Sequence, residues 1–273
     1  MDYIKIIDYL IIVCIAVILV KLFYKKINES YKNTDNLQIN QTFVINMNKD
    51  QKRLKFIQQQ CKNANIPFTR FPAINGNKLN LQKLQENNTL KFNEYSFFNH
   101  DKQGRNSLKS SIGCALTHKN LWKKALSNDV TLILEDDSII PKNFWQQFNK
   151  YKQQIPDDWD IIFLGGSRIY GKQISNNIVK ALSTDNNFWN NCGLYAYIIN
   201  KKSAKQLLKL TNPITNYIDI QINRYYNNLN VYYLNPVIIT HNFEIKSSRN
   251  SPQKNSYKYP KYFIEKSKKI TIV

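Results

Sequence analysis

The run Leu132-Ile133-Leu134-Glu135-Asp136-Asp137 sets three carboxylates directly behind an apolar stretch. Thr131 to Leu134 has the composition of a strand buried on both faces of a parallel sheet, and Ser138 to Pro141 breaks the run. In open α/β sheets, ligands sit outside the carboxyl ends of the strands, so acids placed there stand where chemistry is usually done. Three adjacent carboxylates repel one another, and a cation among them favours their ionised forms. Hard divalent ions such as Mg2+ and Mn2+ choose this oxygen-rich setting. The plain alternative is a solvated acidic turn. The strand in front and the strongly basic chain around it favour the metal site.

Other residues compete for, or could complete, such a site. Asp158-Trp159-Asp160 is a D-x-D, but it precedes Ile161 to Leu164 and so stands at the opposite end of its strand. A helix-to-strand turn suits it better. His241 directly follows Val237 to Thr240, which reads as a late strand, so it too falls at a carboxyl end. It either completes a metal shell with Asp137 or is an ordinary loop histidine. His118 lies inside a helical stretch, where capping or core hydrogen bonding is expected, and His100 sits in a polar excursion. Asp219 is held between Ile218 and Ile220, and a carboxylate in such surroundings must be paired, hydrogen-bonded or functional. Two roles fit it: a general base near the substrate and a helix N-terminal acid favoured by the dipole. The chain has no P-loop, G-x-S-x-G or G-x-G-x-x-G, so classes that depend on those motifs lose support.

These residues need elements to position them. At 273 residues the chain can build one large α/β domain or two small ones. Lys and Arg number 39 against 19 Asp and Glu, a formal charge of +20 that favours nucleic acid, anionic lipid or phosphorylated small molecules. The basic residues are dispersed, so they single out no partner. Cys14 lies in an apolar run, and Cys61, Cys114 and Cys192 are far apart with no C-x-x-C spacing. Neither a zinc ribbon nor a disulfide framework is implied, and buried free thiols are expected.

Tyr9 to Val20 is unbroken apolar sequence, extended to Ile4–Tyr24 if Asp8 lies at an interface and Lys21 snorkels. The acids Asp2 and Asp8 and the missing small-x-small site argue for an uncleaved anchor over residues 1–26 rather than a signal peptide. Lys5 precedes the span and Lys21, Lys25, Lys26 and Lys32 follow it, which places the main domain in the cytosol, a lumenal domain being the alternative. Residues 27–41 read as a linker. The Asn28, Asn40 and Asn87 sequons carry little weight in so Asn-rich a chain.

Thr42 to Asn46 reads as the first strand, Lys49 to Asn65 as a helix with Leu54, Ile57 and Cys61 on one face, and Phe68 to Phe71 as a second strand. Leu79 to Arg105 is a polar excursion, and Ser110 to Ser127 the clearest helix. A helix over 141–154, a strand over 159–164, an irregular stretch over 171–190 and a strand over 193–199 follow. Helices over 203–210 and 218–226 and strands over 231–234 and 237–240 complete the domain. Residues 249–273 form a basic tail. Strands alternating with helices predict a mainly parallel α/β sheet.

With these landmarks in place, the stretch from about Thr42 to Ser248 resembles glycosyltransferase family 25, whose members include lipooligosaccharide and procollagen galactosyltransferases. Phe43-Val44-Ile45-Asn46 with Arg53, then Phe71 to Gly76, Gly113 to His118, and Leu134 to Asp137 carry the likeness. Trp159-Asp160 with Leu164-Gly165, Tyr197 with Ala204, Ile218-Asp219 and Pro236 continue it in order. The resemblance implies a GT-A-type nucleotide-sugar-binding fold, a UDP-sugar donor, usually UDP-galactose, a bound Mn2+ (or Mg2+) and inversion at the anomeric carbon. It places Asn46 and Arg53 near the nucleotide and assigns Glu135, Asp136 and Asp137 to donor and metal. It matches Asp219 to a family aspartate. Thr117-His118 matches a Ser/Thr-His pair to which no role is attached. His241 stands where many members carry glutamine, and the C-terminal retention signal of the procollagen enzymes is absent.

The leading expectation is a membrane-anchored, metal-dependent inverting hexosyltransferase acting on a glycan or protein hydroxyl, with no nucleic-acid partner. A catalytically silent sugar- or partner-binding homologue is a second reading, and a basic membrane- or nucleic-acid-associated protein a third.

Overall fold

A computed structural model describes residues 12–22, 37–92, 105–184, 190–242, 244 and 271–272. Contacts divide the chain into two units, Met1–Gln38 and Ile39–Val273. In the first, the described residues 12–22 are helical (α1), and their apolar side chains, from Ile12 to Leu22, are exposed. Among the described residues, no helix is long and apolar enough to cross a membrane. The expected span also draws on residues 4–11 and 23–24, which lie outside the described residues, as do His100 and nearly all of the basic tail.

The second unit is a mixed α/β layer structure. Strands β1 (Gln41–Asn46), β2 (Thr69–Pro72), β3 (Val130–Glu135), β5 (Ile161–Phe163), β6 (Tyr170–Ser175), β7 (Ile178–Ala181), β8 (Ala196–Asn200), β9 (Val231–Leu234) and β11 (Thr271–Ile272) form one sheet. Their order is β11-β6-β7-β9-β5-β8-β3-β1-β2. Following the pairings across the sheet, seven of these nine strands run one way, and β7 and β8 run against them. The mainly parallel expectation holds for strand direction. Because β7 and β8 stand inside the sheet, however, antiparallel neighbours are as many as parallel ones among the described strands. β3 is buried along Val130 to Leu134, as its unbroken apolar composition requires of a strand covered on both faces.

Register matters most at one edge. Ile45 pairs with both Phe71 and Glu135, and Asn46 with Pro72, so β1, β2 and β3 end level. The acids after β3 therefore emerge beside Asn46. A short ribbon crosses this edge: β4 (Ser138–Ile139) pairs antiparallel with β10 (Thr240–His241), and His241 stands opposite Ser138.

Helix α2 (Gln51–Asn63) leads away from β1 and buries Ile57 and Cys61. α3 (Leu81–Glu86) lies within the expected polar excursion, started by the Asn80 side chain, which accepts the Lys83 N–H. α4 (Arg105–Ala125) covers the sheet with Ile112, Ala115, Leu121, Trp122 and Ala125 buried, on helical spacing. The turn around Gly76 docks on α4 closely enough that a Cβ on Gly76 would lie 2.0 Å from the Lys109 carbonyl oxygen, and one on Gly113 2.8 Å from that of Ile74. Thr117 completes this joint: its hydroxyl donates to the Gly113 carbonyl at 2.7 Å and accepts the Ile74 N–H at 2.9 Å. Two of the sequence landmarks, Phe71 to Gly76 and Gly113 to His118, are thus the two sides of one backbone contact.

α5 (Phe144–Lys152), α6 (Lys201–Leu210) and α7 (Ile218–Asn223) complete the layers. In α6, Asn200 and Ser203 cap each other reciprocally.

Three expectations are corrected. The stretch 171–190 is not irregular throughout: β6 and β7 form a hairpin inside the main sheet. The late strand over 237–240 is only Thr240–His241, because the Ile238 and Ile239 N–H groups both turn to the Leu164 carbonyl. The helix over 218–226 stops at Asn223, and a 3-10 turn at Tyr226–Asn228 follows.

Candidate functional site

The acid run divides where β3 ends. Successive side chains along a strand point to opposite faces, and Glu135 and Asp136 part accordingly. Glu135 faces α4, with its Oε1 3.4 Å from His118 Nε2. Asp136 and Asp137 face α2, where one guanidinium holds both. Arg53 Nε donates to Asp136 Oδ1 at 2.7 Å, Nη2 donates to Asp137 Oδ2 at 2.6 Å, and Nη2 also pairs with Asp136 Oδ1. The planar fork of arginine suits such two-carboxylate contacts better than a point charge would. Both aspartates are buried, so without this counter-charge neither would stay ionised at low cost.

Asn46 anchors the pair to β1. Its Nδ2 donates to Asp136 Oδ2 at 2.7 Å and to the Asp50 carbonyl at 3.1 Å, where α2 begins. Its Oδ1 accepts from Arg70 Nε at 2.9 Å, and Arg70 reaches on to Asn48. Arg70 was not expected from the sequence. The clue available was its register, since it pairs with Val44 two residues before Asn46. On the other flank, His241 Nε2 lies 3.1 Å from Asp137 Oδ2. His241 thus lies beside Asp137, delivered by β10 rather than by the end of a longer strand.

The two aspartates differ electrostatically although they share Arg53. Burial raises the Asp136 pKa, and Arg53 and Asn46 only partly offset that while Asp137 adds repulsion. Burial also acts upward on Asp137, but His241 and Arg53 outweigh it and hold this acid below the usual carboxylate range. Burial lowers and Asp137 raises the His241 pKa, and the carboxylate wins. Asp137 Oδ1 remains buried with no hydrogen-bond partner. A buried ionised oxygen in that state calls for a proton donor or a cation.

On the Glu135 side, α4 places Cys114 and His118 one turn apart on the same face. Cys114, His118 and Glu135 bring their ligand atoms within 4.8 Å of one another. His118 Nδ1 lies 2.8 Å from the Tyr197 hydroxyl, which also accepts from Trp122 Nε1 at 2.9 Å. That is the core hydrogen bonding expected of His118, and it gives the Thr117-His118 pair distinct jobs: Thr117 joins loop to helix, and His118 faces the acid run. Burial lowers the His118 pKa, but Tyr197, Cys114 and Glu135 outweigh it and push it well up.

Asp219 occupies the first turn of α7, and its Oδ1 accepts the Ile220 N–H while Oδ2 accepts the Gly193 N–H at 3.1 Å. The segment from Gly193 runs into Tyr195, whose carbonyl accepts both the Glu135 N–H and the Ser138 hydroxyl at 2.8 Å. Asp219 is thereby tied to the same edge of the sheet, one backbone segment away from the acid run. Asp158 and Asp160 serve the opposite edge, as expected. Asp160 Oδ2 accepts the Asn230 N–H at 2.9 Å, and Asp158 Oδ1 accepts the Tyr232 hydroxyl at 2.8 Å.

Level carboxyl ends of parallel strands carry a guanidinium-clamped acid pair, at the sheet edge where open α/β proteins place their ligands. The pattern described as glycosyltransferase family 25 (LPS biosynthesis protein) matches residues 39–222, and the chain belongs to that family. It is 23% identical over 207 residues to procollagen galactosyltransferase 1 of Danio rerio, covering 71% of this chain and 33% of that protein. It is 22% identical over 207 residues to the human procollagen galactosyltransferase 2, covering 71% and 32%. A putative glycosyltransferase of Haemophilus influenzae is 30% identical over 176 residues, covering 62% of this chain and 56% of that one. The chain thus spans about a third of the length of the procollagen galactosyltransferases it matches.

Arg53 yields a direct test. Arg53→Met preserves most of the side-chain volume and leaves two buried carboxylates facing each other, a change expected to cost about 3–5 kcal/mol. Adding Asp136→Asn should recover part of that loss, because one of the repelling charges is removed. Urea unfolding of the two variants reads both effects. An Arg53→Met variant as stable as the parent would show that the acids are not held by this guanidinium.

Proposed function

We propose that the chain is an inverting hexosyltransferase of GT-A type. It moves a sugar, galactose or a close relative, from a UDP-sugar to a hydroxyl of a glycan or protein. The observation that carries this reading is Asp137 Oδ1, a buried carboxylate oxygen without a partner at the carboxyl edge of β3. Family membership and the galactosyltransferase names of its relatives support the sugar and the reaction class.

The donor set fits a hard divalent ion. Asp137 offers a free oxygen, His241 stands at its other oxygen, and Arg53 occupies the inner face of the pair. Asp137, with His241 beside it, would hold Mn2+ or Mg2+. Bound there, the ion would supply Lewis-acid stabilisation of the charge that develops on a leaving diphosphate. The protein's own residues do the rest. Asn46 and Arg53 fix Asp136, and through it the position of Asp137. Arg53 adds positive charge near the diphosphate. Asp219 takes the proton of the acceptor hydroxyl as it attacks the sugar from the opposite face. Its two oxygens each retain a lone pair beyond the backbone N–H they accept.

The N-terminal stretch anchors this unit to a membrane in our reading, with the domain on the cytosolic side, motivated by four lysines after the apolar run and one before it. Glycan occupancy at Asn40 or Asn87 in cells would place the domain in a lumen instead.

Two variants test the site. Asp137→Asn should fold, with some loss of stability because Arg53 and His241 lose a charged partner. Melting curves with Mn2+ and UDP should no longer show the shift that ligand binding gives the parent, and hydrolysis of UDP-hexoses should collapse. An undiminished shift would move the ion elsewhere. Binding without hydrolysis in the parent chain would favour the silent homologue.

Asp219→Asn separates the two roles of that residue. As general base, it should lower kcat about 10²-fold or more with little change in donor KM. A raised KM with normal kcat would make it a donor contact. Unchanged kinetics would leave it as the first-turn acid of α7.

A further inference from the structure

The first acid of the run, Glu135, has surroundings of its own on the α4 side. Cys114, His118 and Glu135 offer a sulfur, an imidazole nitrogen and a carboxylate oxygen, all within 4.8 Å of one another. His118 is 1% exposed, and its Nε2 has no hydrogen-bond partner although Glu135 Oε1 lies only 3.4 Å away. As a hydrogen bond that contact is long and poorly aimed. As a ligand-to-ligand spacing it fits, since two atoms at 2.0–2.1 Å from a tetrahedral ion lie roughly 3.3–3.4 Å apart. We propose that Cys114, His118 and Glu135 form a second metal site, separate from Asp137, selective for Zn2+.

The ligand types decide the metal. Mg2+ and Mn2+ favour oxygen and do not recruit a thiolate, whereas Zn2+ accepts Cys, His and carboxylate together in four-coordinate sites. Three protein ligands leave a fourth position for water or a substrate oxygen, on the pattern of open rather than closed zinc sites. Glu135 is the most exposed of the three acids, its side chain at 29% against 7% for Asp136 and Asp137, so the cluster is reachable from the outside.

The surroundings orient the ligands. Cys114 and His118 lie one helical turn apart on α4, so their spacing is set by the helix itself. With Nε2 as the ligand, His118 carries its proton on Nδ1 and donates it to the Tyr197 hydroxyl oxygen, 2.8 Å away. Ligating histidines are held in this way by an acceptor on the other ring nitrogen. Tyr197 is fixed in turn by Trp122 Nε1. The site stands whether or not a UDP-sugar is the donor.

The test uses the full chain freed of metal with a chelator, and Co2+ as the probe for Zn2+. One equivalent of Co2+ should bind and give a near-ultraviolet sulfur-to-cobalt charge-transfer band, which Zn2+ then displaces. Cys114→Ser should remove the band and weaken Zn2+ binding more than about 100-fold, beyond the loss seen for outer partners of metal ligands. Cys192→Ser and Asp137→Asn should leave the band intact, which separates this site from the proposed donor metal. A second measurement needs no variant: Zn2+ should protect Cys114, and not Cys192, from alkylation of the parent chain. Absence of the band at saturating Co2+, its survival in Cys114→Ser, or Cys114 alkylation indifferent to Zn2+ would each overturn the proposal.

Discussion

The pairing of Arg53 with Asp136 and Asp137 is the constraint on which the functional edge of this fold depends. Two adjacent carboxylates are buried at the end of β3, and only a charge placed between them makes that arrangement stable. The guanidinium comes from the first turns of α2, so the position of that helix is fixed relative to β3 by electrostatics as well as by packing. Asn46 then ties β1, α2 and Asp136 together through three hydrogen bonds, one of them from Arg70 on β2. Three parallel strands and one helix meet at a single polar knot.

That knot divides the acid run by its contacts. Both Asp136 oxygens accept hydrogen bonds, from Asn46 and from Arg53. Asp137 keeps one oxygen free and is the acid whose ionised form the surroundings favour. Glu135 turns the other way, toward Cys114 and His118 on α4. A three-residue acid cluster thereby lies on two sides of one strand end: alternation parts Glu135 from Asp136, and the turn that follows β3 keeps Asp137 beside Asp136 on Arg53.

Much of this was legible in the chain. The apolar run ahead of the acids has the composition of a strand covered on both sides, and β3 is buried along it. The opposite-edge placement of Asp158 and Asp160 followed from their standing before an apolar run rather than after it. The elements that escaped were those whose local sequence carries no period. Lys172, Gln173 and Ser175 give β6 no apolar alternation, and only its partners β7 and β11 make it a strand. The closing of Cys114 on Glu135 was also illegible, since residues about 20 apart meet only once α4 is laid across β3. Arg70 joined the site through strand register, which no motif encodes.

The claim that most needs a direct answer is that ligand and ion meet at the free oxygen of Asp137. A crystal structure of the full chain grown with UDP and Mn2+, with anomalous diffraction used to locate manganese, gives that answer. The expected map has a manganese peak bonded to Asp137 Oδ1, with the diphosphate against it and the Arg53 contacts to both aspartates intact. A nucleotide bound away from the ends of β1 and β3, or manganese found at Asp158 and Asp160 instead, would contradict it.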